Sequence, residues 1–296
     1  MNKKFAGERL ETDIFDGNTI NHLHRYALVN NYIKNKIVLD IASGEGYGSN
    51  LVSEYAEYVY GVDIDDETIQ KAQKKYKKTN LEFILGSAAS IPLEDNSVNV
   101  VVSFETIEHH NQHNQMLEEV KRVLKPDGLF IVSTPDKHFY SDLRNYNNPF
   151  HVKELYKSEF ESLINNHFKN YQLLSQSYLN GNSVVLDHKN RKEIEFYKGN
   201  FIEVKNTISN PHFLIAICSD INFEKQHISI FEGCMFVKSS LEYEALVKEI
   251  YSDGFKNLGN HFVKSYFKAF AWFGFSMYAI VVFAFVFRVS TGFEFS

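Results

Sequence analysis

The sequence predicts an α/β protein built on a doubly wound, Rossmann-like sheet of seven strands, mostly parallel, with an antiparallel hairpin at one edge. Two observations carry this prediction. Short β-branched or aromatic runs alternate with amphipathic helical stretches as far as Pro135, which is the pattern of successive βαβ units. A glycine-rich turn at residues 44–48 joins the first of these runs to the first helical stretch.

Five runs are predicted to be buried strands because each is short, apolar and bounded by turn or polar residues. They cover residues 37–41, 58–62, 81–85, 98–104 and 128–134. Helices are predicted between them over residues 48–55, 67–76 and 112–124. Pro126 and Gly128 follow the last of these helices, and we expect them to end it and turn the chain. Beyond Pro149, a helix is predicted over 157–166 and strands over 171–176 and 213–218, with a polar insertion around 187–195. Together these elements predict the antiparallel hairpin at the edge of the sheet.

The chain divides into four predicted segments. They are an N-terminal lid or helix over residues 1–36, the sheet domain over 37–238, an amphipathic linker helix over 239–268 and an apolar helix over 269–287. The apolar segment contains no charged residue, and as a helix it would be roughly 28 Å long, close to the thickness of a bilayer's hydrocarbon core. It is either a membrane-spanning helix or a buried, oligomer-forming one. Lysines precede it, so a membrane span would leave the large N-terminal part in the cytoplasm.

The composition argues against several classes of function. Lys and Arg total 31 against 37 Asp and Glu, a formal charge of -6, so we expect no positive surface for nucleic acid. Cys218 and Cys234 are the only cysteines, too few for a disulfide framework or a cysteine-based zinc site. The N-terminus has no apolar secretory core. We therefore expect a cytoplasmic protein, attached to the inner face of the membrane if the apolar helix spans it.

The turn after the first strand predicts a site for an adenosine-containing cofactor. Gly44, Gly46 and Gly48 alternate, so the backbone can turn tightly and a ligand can approach it without meeting a Cβ. Asp40 closes the first strand and Asp63 closes the second, where a carboxylate suits hydrogen bonds to both ribose hydroxyls. Position 49 is serine, whereas a dinucleotide fingerprint needs its third glycine there. The spacing therefore favours a cofactor without a pyrophosphate, and a NAD-dependent oxidoreductase becomes the weaker interpretation.

These elements, in this order, resemble the class I S-adenosylmethionine-dependent methyltransferases of type 11 over residues 37–135. Residues 40–48 match the family's acidic, glycine-rich loop, except that Ala42 stands where the first glycine is usual. Residues 86–93 resemble the adenine-side loop, with Ser87 in place of the usual acid. The resemblance implies S-adenosyl-L-methionine as the cofactor. The implied cofactor-binding residues are Asp40, Ala42, Gly44, Gly46, Asp63, Ile64, Ser87, Ala88, Phe104 and Glu105.

The segment 105–110 follows the fourth strand, where side chains at the carboxyl edge of such a sheet enter the ligand crevice. A sulfonium methyl already carries a good leaving group, so the enzyme chiefly aligns an acceptor and removes its proton. His109 is the predicted base because histidine is the side chain best suited to general base catalysis near neutral pH, with Glu108 as the second catalytic residue. The predicted acceptor is a hydroxyl of a glycan precursor or of a lipid-linked or quinone-like small molecule. Arg25 is either a partner of the cofactor's methionine carboxylate or part of a solvated helix face.

The two acids and the histidine of this segment also resemble a branch of the family that contains quinone-biosynthesis O-methyltransferases and small-RNA 2′-O-methyltransferases. In that branch these residues and a later histidine hold a divalent metal that binds the acceptor oxygen. The resemblance implies Mg or Mn ligands at Glu105, Glu108, His109 and His151. In the alternative without a metal, Glu105 holds the methionine end of the cofactor and His109 acts alone.

Three segments narrow the resemblance further. Residues 7–26, 103–109 and 148–152 together resemble methyltransferases found with bacterial surface-glycan assembly enzymes. Tyr140 and Tyr146 stand in the usual acceptor-side loop, where they either stack on the acceptor or cover the sheet. A different class of function stays open, namely a catalytically silent, membrane-attached binding subunit that keeps the fold.

Overall fold

The computed structural model describes residues 10, 12, 17–179, 181–189, 195–199, 201–207 and 210–233. Up to Glu232 these residues belong to one compact unit. The described helices are α1 (Gly17–Val29), α2 (Tyr47–Val52), α3 (Asp66–Lys75), α4 (His113–Val123), α5 (Lys137–Tyr140) and α6 (Lys157–His167). The described strands are β1 (Ile37–Ile41), β2 (Tyr58–Asp63), β3 (Leu81–Leu85), β4 (Val98–Phe104), β5 (Leu124–Pro135), β6 (Asn170–Leu179), β7 (Asn182–Asp187), β8 (Phe196–Gly199), β9 (Val204–Thr207), β10 (Phe213–Ser219) and β11 (Ser229–Phe231).

Nine strands of the described chain form one sheet in the order β11-β7-β6-β10-β5-β4-β1-β2-β3. The five strands from β5 to β3 are parallel, and the other four continue the sheet through antiparallel pairs. The predicted class, an α/β fold with a doubly wound parallel core and an antiparallel edge, is confirmed. The sheet has nine strands rather than the predicted seven because β7 and β11 extend the antiparallel edge. Strands β8 and β9 form a separate hairpin.

The helices other than α5 bury one face each, and the central strands are largely buried. In β4 every apolar residue is buried, as expected for a parallel strand covered on both faces. Helix α4 buries Met116, Leu117, Val120 and Val123, which recur at helical spacing on one side. Helix α3 begins where the Asp65 carboxylate accepts a hydrogen bond from the Thr68 N–H at 3.1 Å. These local signals explain why the predicted bounds of the core elements lie within a few residues of the observed ones.

The predicted turn at Pro126 and Gly128 lies inside a strand. Val98 pairs with Leu124 and Val100 pairs with Leu129, so the four intervening residues of β5 face a single residue of β4. Pro126 has no N–H to offer a ladder, which is why it is tolerated only at such an irregularity. Helix α4 does end just before these residues, at Val123, but they bulge out of β5 instead of forming a separate turn.

The parallel order of the strands brings together the loops that carry the predicted cofactor and catalytic residues. The segments that follow β1, β2, β4 and β5 leave the same edge of the sheet, since parallel strands have their carboxyl ends there. Strands β1 and β4 are direct neighbours, with Ile41 paired to Ser103. The glycine-rich turn after β1 therefore lies beside the acidic and histidine-rich segment after β4.

The predicted linker helix and apolar helix, residues 239–268 and 269–287, lie outside the described residues. Among the described helices, none combines the length and apolar character that crossing a bilayer would require.

Candidate cofactor and acceptor site

The turn between β1 and α2 rests on a buried carboxylate. Asp40 is 1% exposed, and it accepts hydrogen bonds from the Ser49 hydroxyl at 2.6 Å and the Tyr26 hydroxyl at 3.3 Å. Burial raises the pKa of Asp40 to about 7, although both hydrogen bonds oppose that shift. The carboxyl group thus lies beneath the turn and holds α2 and α1 against β1.

Three residues of the turn adopt left-handed backbone conformations. The φ angles are 56° at Ala42, 54° at Gly44 and 86° at Gly46. The structure therefore demands a glycine-like conformation at Ala42, which fits the family position where glycine is usual. A Cβ at Gly46 would lie 2.6 Å from the Phe83 ring, whereas one at Gly44 would meet nothing within 4 Å. The backbone at Gly44 is thus open to an approaching ligand.

The end of β2 is tied to this turn. Asp63 is 4% exposed, and its two carboxylate oxygens accept the N–H groups of Gly44 at 2.9 Å and Asp65 at 3.0 Å. Its neighbour Ile64 is 73% exposed, which is unusual for a large aliphatic side chain. The predicted ribose partner and the predicted adenine contact therefore lie together at the mouth of the turn.

The remaining predicted cofactor residues border the same edge. The Gly86 N–H donates to the Asp63 carbonyl at 2.9 Å, which fixes the loop after β3 beside β2. Within that loop the Ser87 hydroxyl accepts the Ala89 N–H at 3.2 Å, and Ala88 is half-buried. Phe104 is buried at the end of β4, where its ring packs edge-on against Tyr26 with centroids 5.1 Å apart.

Glu105 is held by an ion pair that sequence reasoning missed. Its backbone is left-handed, with φ 51°, and one carboxylate oxygen lies 3.1 Å from Arg25 Nη1 and accepts the Ser133 hydroxyl at 2.6 Å. Arg25 is fully buried, donates from Nε to Gln176 at 2.7 Å and lies 4.5 Å from the centre of the Phe213 ring. Arg25, a candidate partner for a ligand carboxylate, is thus paired with a carboxylate of the protein.

Three of the four predicted metal ligands converge. One ligand atom each from Glu108, His109 and His151 lies within 4.8 Å of the others, and Glu108 is 1% exposed. Glu105 does not belong to this group, because its carboxylate is bound by Arg25 and Ser133. The Val152 N–H donates to the Glu108 carbonyl at 2.8 Å, and this bond brings the later segment against the turn after β4. We call Glu108, His109 and His151 the histidine cluster.

The ring orientations in the histidine cluster are set by hydrogen bonds. His109 Nδ1 lies 3.0 Å from the Phe150 carbonyl oxygen, and His151 Nδ1 lies 2.6 Å from a Glu154 carboxylate oxygen. Both contacts need a proton on Nδ1, so each neutral ring carries its lone pair on Nε2. The two rings meet edge to face with centroids 5.2 Å apart. The base predicted at His109 is therefore its Nε2 atom.

A family model described as a methyltransferase domain matches residues 39–132, which span β1 to most of β5. The chain contains a methyltransferase domain. The resemblance to class I S-adenosylmethionine-dependent methyltransferases is thereby confirmed. A second model, described as a family of unknown function, matches residues 244–295, outside the described residues.

Several curated proteins and a solved structure are similar to the chain. It is 40% identical over 128 residues to a probable S-adenosylmethionine-dependent methyltransferase of Mycolicibacterium smegmatis, covering 43% of this chain and 49% of that one. It is 32% identical over 136 residues to a probable phthiotriol/phenolphthiotriol dimycocerosates methyltransferase 2 of Mycobacterium ulcerans, covering 45% and 49%. The chain spans about half the length of the curated relatives that it matches. The solved structure of YcgJ from Bacillus subtilis shares the fold, with a TM-score of 0.50 at 20% identity over 68% of this chain and 100% of that one.

Aromatic side chains pack beside the histidine cluster. Tyr140 stacks on the His151 ring with centroids 5.6 Å apart, and the Tyr146 ring lies 5.9 Å from that of Tyr140. The Arg144 guanidinium lies over both tyrosines, at 5.4 and 5.3 Å. The tyrosines that the sequence placed beside the acceptor thus contact the histidine cluster.

Asn148 is a further residue of this site that no sequence motif predicted. Its side-chain oxygen Oδ1 accepts the Phe150 N–H at 3.0 Å, and its side-chain nitrogen Nδ2 lies 3.1 Å from His151 Nε2. The Asn148 amide therefore donates to the His151 lone pair. An Asn-Pro pair before an aromatic residue predicts a turn, but only the folded chain shows which histidine the amide meets.

A polar groove of about 430 Å³ lies between α4 and α6. It is lined by Lys153, among others, whose N–H donates to the Glu108 carbonyl at 3.0 Å. None of the predicted cofactor residues lines it. The groove is thus a neighbour of the histidine cluster rather than part of the cofactor site.

Proposed function

We propose that this protein transfers a methyl group from S-adenosyl-L-methionine to a hydroxyl oxygen. One observation carries the proposal. The open glycine turn follows β1, Glu108 and His109 of the histidine cluster follow β4, and these two strands are neighbours that end at the same edge of the sheet. A methyl donor bound at the first would have its reactive carbon near a base at the second. Open α/β sheets bind ligands at that edge.

In this proposal the cofactor residues fix the donor. Asp63 would accept hydrogen bonds from the ribose hydroxyls, Ile64 would pack on adenine, and Ser87 and Ala88 would contact the adenine ring. The backbone from Ala42 to Gly46 would hold the adenosine, because the open face at Gly44 lets a ligand approach closely. Phe104 and Glu105 would border the methionine end of the cofactor, where the Glu105 carboxylate would pair with the ammonium group of the methionine. Bound in this way, the cofactor supplies an electrophilic methyl group on sulfur.

His109 moves the proton in the mechanism without a metal. Its Nε2 atom accepts the hydroxyl proton as the acceptor oxygen bonds to the methyl carbon and the carbon–sulfur bond breaks. The Phe150 carbonyl at Nδ1 holds the ring in place and stabilises the imidazolium that results. The Glu108 carboxylate, in the same cluster, favours that positive charge as well.

A divalent metal, Mg or Mn, is the second form of the proposal. Metal-bound histidines usually donate their other ring N–H to a carbonyl or carboxylate, and His109 and His151 both do so here. Glu108, His109 and His151 would hold the ion, which would supply a Lewis acid for the acceptor oxygen. One lone pair on His109 Nε2 serves either the ion or the proton, so the two forms exclude each other. Asn148 would also have to leave His151 Nε2.

The metal form is tested by depletion and by a variant. EDTA treatment should abolish turnover, and Mg or Mn should restore it. Asn148→Ala should raise metal affinity in a direct titration, since it removes the donor that engages His151 Nε2, while Asn114→Ala, at an exposed position of α4, serves as the control. Full activity of protein shown to be metal-free by elemental analysis rejects this form and leaves His109 as the base.

We further propose that the acceptor is a glycan precursor or a lipid-linked or quinone-like small molecule. Tyr140 and Tyr146 beside the histidine cluster support an acceptor with a ring or sugar face, because aromatic side chains stack on such faces. The Mycobacterium ulcerans relative is named for a lipid acceptor, which supports the lipid-linked alternative. Incubation with labelled S-adenosyl-L-methionine and fractionated cell extract would identify the labelled product.

We place the protein in the cytoplasm and propose that residues 269–287 attach it to the inner face of the membrane. The absence of charge over 19 residues supports the attachment. If the full chain sediments with membranes and residues 1–260 do not, the attachment holds. If both remain in the soluble fraction, it is wrong.

A further inference from the structure

The segment 142–156, which we call the rim segment, exposes an unusual number of large apolar side chains. Five of them are between 39% and 62% exposed, and they are Leu143, Tyr146, Phe150, Val152 and Tyr156. Single exposed apolar residues are normal on soluble proteins, but five within fourteen positions form a surface feature that calls for an occupant.

The rim segment is also locally basic, in a chain whose net charge is negative. Arg144 and Lys153 are exposed, and the Lys137 ammonium lies 4.8 Å from the centre of the Tyr156 ring just beside it. Of its two acids, Glu154 is buried against His151, which leaves Asp142 exposed. Within residues 142–156, two exposed cations therefore stand against one exposed acid.

This surface adjoins the histidine cluster directly. The Phe150 carbonyl bonds the His109 ring, and the N–H groups of Val152 and Lys153 both donate to the Glu108 carbonyl. The backbone of Phe150, Val152 and Lys153, whose side chains are exposed, thus holds the predicted base His109 and its neighbour Glu108. Anything docked on the rim segment would lie next to the place where the acceptor is expected.

We propose that the rim segment docks on an anionic lipid bilayer. Aromatic and aliphatic side chains interleaved with Arg and Lys are typical of surfaces that lie at the boundary between lipid headgroups and acyl chains. The cores of protein–protein interfaces are instead depleted in lysine. Anionic headgroups complement Arg144 and Lys153, while the apolar side chains enter the upper acyl region. An acceptor embedded in the bilayer would then meet the histidine cluster without leaving the lipid.

A local tryptophan probe tests this without relying on overall membrane binding. Trp272 is the single tryptophan of the chain, so Trp272→Phe gives a silent background in the full-length protein. Phe150→Trp places the probe on the rim segment, and Tyr55→Trp places the control before β2 at the opposite edge of the sheet. Both native side chains are exposed, at 47% and 57%. The vesicles contain phosphatidylglycerol and phosphatidylcholine with brominated acyl chains, which quench only tryptophans that reach them.

We expect strong quenching and a blue shift of the emission for the probe at position 150, and neither for the probe at position 55. An unquenched probe at 150 overturns the proposal even if the rest of the chain holds the protein on the vesicle, and it would leave a protein partner as the occupant. Equal quenching at both positions overturns it as well, because it would mean that the rim segment has no preference for lipid.

The charge contribution has its own readout. Arg144→Ala and Lys153→Ala should each raise the lipid concentration needed for half-maximal quenching by about fivefold, since a basic side chain at an anionic surface contributes about 1 kcal/mol. Lys74→Ala on α3 is the matched control and should change nothing. Equal quenching by pure phosphatidylcholine vesicles contradicts the electrostatic part. No cofactor is present in these experiments, so their failure is separate from a failure of methyl transfer.

Discussion

The two halves of the site are built differently. In the cofactor half, Asp40, Gly44, Ser49 and Asp63 contact one another within a short stretch of chain. In the proposed acceptor half, contacts join distant segments, as between His109 and Phe150, which are 41 positions apart. Spacing along the sequence therefore predicts the first half, whereas the second half depends on how the sheet brings strands together. The substitutions below test that difference.

The largest effect is expected at the acceptor half. His109→Ala should lower turnover by about 100- to 10,000-fold, the usual contribution of a general base, and leave cofactor affinity unchanged. Steady-state kinetics and calorimetry on the same preparations measure both quantities. His138→Ala, an exposed histidine on α5, is the control. Unchanged turnover in His109→Ala would reject His109 as base and as metal ligand.

Next in size is the buried ion pair that links α1 to β4. Arg25→Met should lower the free energy of unfolding by about 3–5 kcal/mol, because it leaves Glu105 without its cation. The double variant Arg25→Met with Glu105→Gln should recover much of that loss. Urea unfolding measures both. Equal stability of the single variant and the parent would mean that the fold does not depend on this long-range contact.

Asp40 should give the cofactor half a dependence on pH. Its pKa is raised to about 7 in the folded chain, so between about pH 4 and 7 the folded state holds a proton that the unfolded state has lost. The stabilisation is complete below the unfolded pKa and is lost as the pH rises towards 7. Asp40→Asn stays neutral and should lack this decline. Parallel stability profiles of the two proteins over that range would refute the buried, raised-pKa carboxyl.

A smaller effect is expected where the turn meets β2. Asp63→Asn should weaken binding of S-adenosyl-L-methionine by about 10- to 100-fold, because it weakens charged hydrogen bonds to the ribose and to the Gly44 N–H. Asp66→Asn, at the exposed start of α3, is the matched control. Equal affinities by calorimetry would place the ribose elsewhere.

The smallest effect concerns the left-handed backbone of the turn. Ala42→Gly should raise the free energy of unfolding by about 1 kcal/mol, since alanine is strained at a φ of 56°. The same substitution inside α3, Ala72→Gly, should lower it by about 1 kcal/mol or more. Urea unfolding that shows the same sign at both positions would argue against the left-handed conformation at Ala42.

Local patterns account for what the sequence predicted well. The parallel core strands and α3, α4 and α6 follow apolar periodicity and turn residues, so their bounds are close to the predicted ones. The left-handed conformation at Ala42 agrees with the family position that favours glycine. The class of fold followed from these patterns, whereas the methyltransferase domain followed from the resemblance of residues 37–135 to the family.

Long-range contacts account for what the sequence missed. Glu105 was predicted as a metal ligand, but the fold brings Arg25 to it from α1. By contrast, Asn148 and Glu154, each three positions from His151, orient its ring through local contacts that no motif marks. Strands β7 and β11 pair across more than forty residues of sequence, so neither period nor turn chemistry marks them as neighbours. The site residues taken from the resemblance stay predictions until they are tested.

Calorimetric titration of the full chain with S-adenosyl-L-methionine and with its demethylated product tests the central claim most directly. We predict that both bind at micromolar concentrations and that Asp63→Asn weakens both. A folded protein that binds neither would contradict the proposed cofactor half, and methyl transfer would fall with it.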